Sequence, residues 1–235
     1  MKNEKQLKLV HHHIETQMTL NPNMPQLLIV ENPLLFYNFV RELISQSEGQ
    51  EGNFIWGELK TSSATAKKVA VITDWFNIDV NSKKIVAALQ KHLQLQLQSG
   101  HYISAINELN CKLTEIAEDL FADMPFSMTF DEITTTQLVK LLGAKIADYD
   151  KPLEQLINYI DVMRELTGCE IFVTVNVKSV LNDKELMLLY QHCANEQLYL
   201  LLVESNKCRP LLECEQAVII TEDLCEIVEN IEEIC

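Results

Sequence analysis

The sequence predicts an α/β fold, a head built on a mostly parallel sheet and interrupted by a helical leg. Three observations point to it. Short β-branched or leucine-rich runs, Leu27-Leu-Ile-Val-Glu31, Val69-Ala-Val-Ile-Thr-Asp74 and Glu170-Ile-Phe-Val-Thr-Val175, have the continuous apolar character of strands buried on both faces. Amphipathic helices alternate with those runs at both ends of the chain. Between Asp74 and Asp148 nearly every apolar residue instead recurs at helical spacing, so residues 1–75 and 146–235 form the head and 76–145 the leg. Right-handed crossovers then place helices on both faces of the sheet.

Taken in order, Gln6 to Val10 and Ile14 to Leu20 alternate apolar and polar residues and predict an N-terminal hairpin with His11-His12-His13 at its bend. Neighbours along a strand point to opposite faces, so the three imidazoles cannot all reach one ion, and a solvated turn is the expectation. After Leu27–Glu31, Asn32 as cap and Pro33 at the first helical position open a helix through Leu34, Phe36, Val40 and Leu43. Strand, turn and helix is the setting of a phosphate-binding loop, yet its glycines and lysine are absent. Residues 53–59 read as a further strand and 60–68 as a polar connection. Asp74, at the end of the next strand, stands where a magnesium-binding acid could, but with no phosphate loop upstream an acid capping a strand end is the expected reading. Asp79, Asn81 and Ser82 are placed to cap a helix from Lys83.

The leg begins with Ile85, Val86, Leu89, Leu93 and Leu97. Ser99-Gly100 breaks it, and Ile103, Ile106, Leu109, Leu113, Ile116 and Leu120 follow with near-heptad spacing. Two antiparallel helices cannot bury such a stripe alone, which predicts packing against a partner subunit. Thr129 and Glu132 offer a capping box for a third leg helix ending at Gly143. The head resumes with a helix from Pro152 to Leu166, a helix from Asn182 to Ala194, strands at 198–203 and 217–220, and a terminal acidic helix from Glu222.

A chain of 235 residues, 47% hydrophobic, can bury a substantial core. It shows no apolar run of the ~18 residues that a membrane helix requires and no signal segment, so a cytoplasmic protein without membrane contact is expected. Seven scattered cysteines with no C-x-x-C spacing fit reduced thiols. The net charge of −15 repels phosphates on average and demands a local basic surface for any nucleic-acid contact. Neither the histidines nor the cysteines form a constellation with catalytic spacing, and no catalytic residue is assigned.

Val71-Ile-Thr-Asp74 with Ile78-Asp79-Val-Asn81-Ser82, and Phe130-Asp131-Glu132-Ile-Thr134 with Leu138-Val-Lys-Leu-Leu-Gly143-Ala-Lys145, resemble the type II-A CRISPR-associated accessory proteins of the Csn family, the ring-forming factors of spacer acquisition. The hairpin leading into Leu28–Glu31 and the run Cys169–Asn176 are similar too. The resemblance implies an α/β head with helical legs and a homotetrameric ring around double-stranded DNA. It also implies binding without sequence specificity or catalysis, in antiviral adaptation alongside the integrase complex and the effector nuclease. It implies calcium held by acids of the leg, for which Asp131, Glu132, Asp123 and Glu118 are the candidates; Pro125, Ser127 and Thr129 stand where the family carries further acids. Asp131 and Glu132 read equally well as acids complementing a helix dipole. Phosphate contact needs lysines, and the densest groups are Lys60, Lys67 and Lys68 before the Val69–Asp74 strand and Lys83, Lys84 and Lys91 on the first leg helix. Two other readings stand beside this one: an acidic scaffolding oligomer that does not touch DNA, and a nucleotide-binding α/β enzyme with Asp74 and Asp79 as metal ligands.

Overall fold

The computed structural model describes residues 6–57, 59, 61–126, 129 and 131–230. Lys60, Ser127 and Phe130 lie outside them. The chain divides into two compact units, one running up to Val80 and resuming at Asp148, the other Asn81–Ala147.

The first unit is α/β. Its main sheet has the order β5-β6-β7-β3-β8-β9, where β3 is Gln26–Val30, β5 Val69–Ile72, β6 Ile171–Val175, β7 Tyr199–Glu204, β8 Gln216–Ile220 and β9 Glu226–Asn230. All neighbours are parallel except β8 and β9. Every residue of β3, β6 and β7 is buried, which is why these runs lack a polar alternation. Residues two apart share a face. Leu28, Val30, Val173, Leu201 and Val203 join Phe39 and Leu43 of helix α1 (Pro33–Ser47) in one core layer. The alternate residues, among them Phe172, Leu200 and Leu202, take the opposite face, where helix α7 (Asp183–Asn195) lies against β7 and α6 (Pro152–Thr167) against α7.

The N-terminal hairpin is present as β1 (Leu7–Val10) and β2 (Met18–Leu20), extended by β4 (Ile55–Trp56) into an antiparallel sheet of order β2-β1-β4. The strand expected over 53–59 is only this two-residue piece, because Gly57 takes a φ of +50° and the Leu59 N–H turns back to the Trp56 carbonyl. The connection expected over 60–68 is instead a helix, α2 (Ser62–Lys68), capped by Thr61 through the Ala64 N–H. At the other end, the helix expected from Glu222 is replaced by a turn at Thr221 and strand β9. The β-branched pair Ile227-Val228 favours the strand, and the Thr221 N–H bonds the Cys225 carbonyl to make the hairpin.

The second unit is helical: α3 (Lys83–Leu97), α4 (Gly100–Phe121) and α5 (Thr135–Leu142). Helix α3 packs chiefly on α5, burying Ile85 and Val139, while α4 buries none of its residues. Helix α5 does not start at the box expected from Thr129 and Glu132. Thr134 caps it reciprocally with Gln137, one helical turn later, because Gln137 reaches back to the Thr134 N–H at 2.8 Å. Asp131 and Glu132 therefore precede the α5 cap, and the first turn of the helix holds no acid. Ser82 sits at the cap position of α3 without a side-chain cap bond. Helices α5 and α6 both end in left-handed glycines, Gly143 and Gly168, as their sequences require.

Candidate nucleic-acid interface

Of the basic residues singled out above, Lys83, Lys84 and Lys91 share helix α3 and are all exposed. Lys84 and Lys91, seven residues apart, lie on one side, and Lys83 is turned from them by about 100°. The first turn of α3 contains both Lys83 and Lys84 and no acid. Positive charge there works against the helix dipole, typically by about 0.3–1 kcal/mol per group. Lys67 and Lys68 end α2, where the dipole favours them. Lys67 is exposed, whereas the Lys68 ammonium is taken up by the Glu170 carboxylate at 2.5 Å. The structure thus brings together three of the five described lysines on one helix and leaves four free of an intrachain carboxylate among the described ion pairs.

The four acids are all exposed. Glu118 lies in the last turns of α4, Asp123 just beyond its end, and Asp131 and Glu132 ahead of α5. Among the described residues no three acidic, histidine or cysteine side chains converge as a metal site would need. A calcium ion takes ~6–8 oxygens from carboxylates, carbonyls and water, and the four acids offer carboxylates, the right chemistry for it. At the edge of β3, Asn32 accepts the Leu35 N–H at 3.0 Å and donates to the Glu222 carbonyl at 3.0 Å, so the turn that would carry a phosphate loop is filled by a helix cap. Asp74 accepts the Phe76 N–H at 3.0 Å, the role of an acid closing a strand end.

Several groups escaped the sequence reading. His11 is not solvated but buried between Phe39 and Phe54, with His12 and His13 exposed. Burial holds its imidazole below the ordinary value, against the pull of Glu42 3.4 Å away. Lys178 and Glu215 form a buried ion pair at 2.6 Å, joined by the Tyr190 hydroxyl, whose phenol is pushed far up by burial and by Glu215. Nothing in Val177-Lys-Ser179 marks that lysine as an interior one; only its apolar neighbours hint at it.

The family described as CRISPR-associated protein (Cas_Csn2) matches residues 46–224, most of the chain. This chain belongs to the Cas_Csn2 family. Its role is accordingly CRISPR-associated. The CRISPR-associated protein Csn2 of Streptococcus agalactiae is 27% identical over 150 residues, 63% of this chain and 68% of its own. Among solved structures, a metal-chelate type ABC transporter in an inward-facing conformation aligns with 99% of this chain and 85% of its own at 8% identity and a TM-score of 0.47. A protein described as an ABC transporter ATP-binding protein from Pyrococcus furiosus aligns with 91% and 97% at 12% identity and a TM-score of 0.38. Both lie below the similarity at which a shared fold can be argued, so the Csn2 match stands on sequence. No helix among the described residues is long and apolar enough to cross a membrane.

Proposed function

We propose that this Csn2-family protein is a non-catalytic, cytoplasmic protein that binds double-stranded DNA without sequence preference, as a homotetrameric ring acting in spacer acquisition with the integrase complex and the effector nuclease. The observation that carries the reading is Lys83 and Lys84 in the acid-free first turn of α3, followed by Lys91, in a chain of net charge −15. Such a placement disfavours the helix and favours a phosphate. Assembly is supported by α4, whose Ile103, Leu109, Leu113, Ile116 and Leu120 are exposed along one stripe. A ring reconciles a basic helix with an acidic chain, since acids can face outward while lysines face the hole. The filled turn at Asn32 and the bonded Asp74 favour a binding protein over a nucleotide-using enzyme.

Calcium is proposed for the acidic end of α4 at Glu118 and Asp123, with Asp131 and Glu132, its remaining oxygens coming from water or a second copy. The second reading is an acidic scaffold that does not touch DNA, favoured by the same net charge and the same stripe. A gel shift decides between them, comparing linear with covalently closed circular duplex of equal length, with calcium and with a chelator. Retention of the linear form alone, weakened by salt and lost on chelation, supports the ring. Equal retention of both forms removes encirclement, and retention of neither leaves the scaffold.

A further inference from the structure

The crossover from β7 to β8, residues 205–215, is fastened to the first unit by charged groups that have almost no access to water. Glu204, the last residue of β7, is fully buried. One of its oxygens accepts the Lys178 N–H at 3.2 Å, and Oε2 has no hydrogen-bond partner among the described residues. The Lys178 ammonium, also buried, reaches Glu215 Oε2 at 2.6 Å, the atom that accepts the Leu212 N–H at 2.8 Å. The Tyr190 hydroxyl donates to the other Glu215 oxygen at 2.5 Å. On the outside of the crossover Arg209 donates to the Lys178 and Leu181 carbonyls and pairs with Asp183 at 2.6 Å.

The charges do not balance. Lys178 faces Glu204 from the turn Val177–Ser179, Glu215 from the approach to β8, and Tyr190 from α7, with Cys214 beside Glu215. Burial pushes the Tyr190 phenol and the Cys214 thiol up, so both stay neutral and only one cation serves two carboxyl groups. Ionising both leaves one negative charge out of water, which is unfavourable unless it is solvated. Burial pushes the Glu204 carboxyl up to about 7, against the pull of Lys178 and of the Val177 N–H and with a smaller push from Glu215.

We propose that this cluster is a proton-operated latch: Glu204 in its protonated form holds the 205–215 crossover closed, and loss of that proton to solvent opens the crossover so that water reaches the second carboxylate. The crossover is the side that moves. Strands β6 and β7 are buried throughout, whereas Asn206, Lys207 and Cys208 are exposed and the segment is tied down by the Arg209 contacts, the Lys178–Glu215 pair and the Ser205 N–H on Asn176 at 2.8 Å. The latch stands independently of the DNA-binding reading.

Hydrogen exchange on the full chain between about pH 5 and about pH 8, corrected for intrinsic rates, tests it. One proton lost per opening predicts that protection of the 205–215 amides falls by about tenfold per pH unit as pH rises from the ordinary carboxyl value toward the Glu204 value of about 7 and levels off above it, while β6 and α7 keep theirs. Glu204→Gln, an uncharged isostere, should hold protection constant over the same range. Trypsin cleavage after Lys207 of the unmodified protein, normalised at each pH to an unfolded control, should rise in parallel and level off above about pH 7, so the result does not depend on the variant folding. Protection independent of pH in the unmodified chain, or an equal fall in Glu204→Gln, overturns the proposal.

Discussion

The side-chain amide of Asn81 grips the backbone of Ile146, its Nδ2 donating to the Ile146 carbonyl and its Oδ1 accepting the Ile146 N–H, both at 2.9 Å. The helical unit thus has its first residue and its last but one tied by one side chain, although 65 positions separate them. Asn110 of α4 repeats the grip on Ile133, at 3.3 and 2.9 Å. In the first unit Gln155 does the same for two segments at once, accepting the Tyr149 N–H at 2.8 Å and donating to the Ile78 carbonyl at 2.7 Å. A carboxamide is the neutral side chain with one acceptor and two donors in a fixed fork, so it completes the bonding of an irregular backbone that no ladder serves.

Replacing Asn81 by Ala removes both bonds and leaves the Ile146 N–H and carbonyl half-buried without partners. The expected loss is about 1–3 kcal/mol. Because the tie lies at the ends of the second unit, the loss should appear first as faster hydrogen exchange in α3 and α5, with β6 and β7 unaffected. Asn81→Asp keeps the acceptor but sets a carboxylate against the Ile146 carbonyl, so it should be no better than Ala. Equal exchange in α3 for wild type and Asn81→Ala would show that the tie contributes nothing.

His11 gives the fold an acid-side dependence. Its Nδ1 accepts the His13 N–H at 3.1 Å, which leaves Nε2 to carry the proton toward Glu42. Burial lowers its folded value below the ordinary 6.5, so the folded state binds fewer protons than the unfolded one. Stability from this group is therefore fully present above 6.5 and is lost as pH falls through the lowered value. Glu42, lowered mainly by its bond from the Asn53 N–H once burial is overcome, adds a loss below its own ordinary 4.5. Glu204 works in the opposite sense: raised from 4.5 to about 7, it contributes fully below 4.5 and loses that contribution as pH rises through about 7. Urea midpoints measured across this range should pass through a maximum, and His11→Gln should flatten the acid limb while leaving the other in place.

Much of the head could be read from the chain because its signals are local. The buried runs at 27–30, 69–72 and 171–175 have no polar alternation to confuse them, and Asn32, Gly143 and Gly168 mark helix ends by side-chain chemistry that acts within one turn. The errors fell where two local signals compete. Thr129 with Glu132 and Thr134 with Gln137 both spell a capping box, and only the second places Val139 against α3. Glu222–Asn230 is acidic enough to suggest a helix, yet pairing with β8 decides for a strand. The side chains that tie distant segments together, Asn81, Gln155, Lys178 and Glu215, carry no sequence signal, because their partners are set by the fold and not by spacing. For the candidate interface, the lysines of α3 were visible as composition, but the absence of an acid from its first turn gains meaning only once the helix start is fixed at Lys83.

The stripe on α4 predicts where copies meet. Ile116 and Leu120 are 55% and 68% exposed and lie one turn apart, so within one chain they have little to lose. At an interface each would contribute about 1.5–3 kcal/mol. Ile116→Asp with Leu120→Asp should therefore leave the melting temperature of a dilute sample nearly unchanged and reduce the mass seen by light scattering to that of a single chain. An unchanged assembly would place the contact elsewhere.

The lysines of α3 allow a test in which a structural and a functional role move opposite ways. Converting Lys83 and Lys84 to Gln removes two positive charges from the first turn, which should stabilise the helix by about 0.3–1 kcal/mol each. If the same lysines neutralise DNA phosphates, the double variant should bind more weakly, and the slope of log K against log salt should shrink by about 0.9 for each phosphate no longer neutralised. Adding Lys91→Gln should shrink the slope once more by a similar amount without a stability gain, since Lys91 lies mid-helix. Lys68→Gln is the internal control: its ammonium is held by Glu170, so its loss should leave the salt slope as it was. A variant that melts higher yet binds DNA with the full salt slope would assign Lys83 and Lys84 to solvation and turn the reading toward the scaffold.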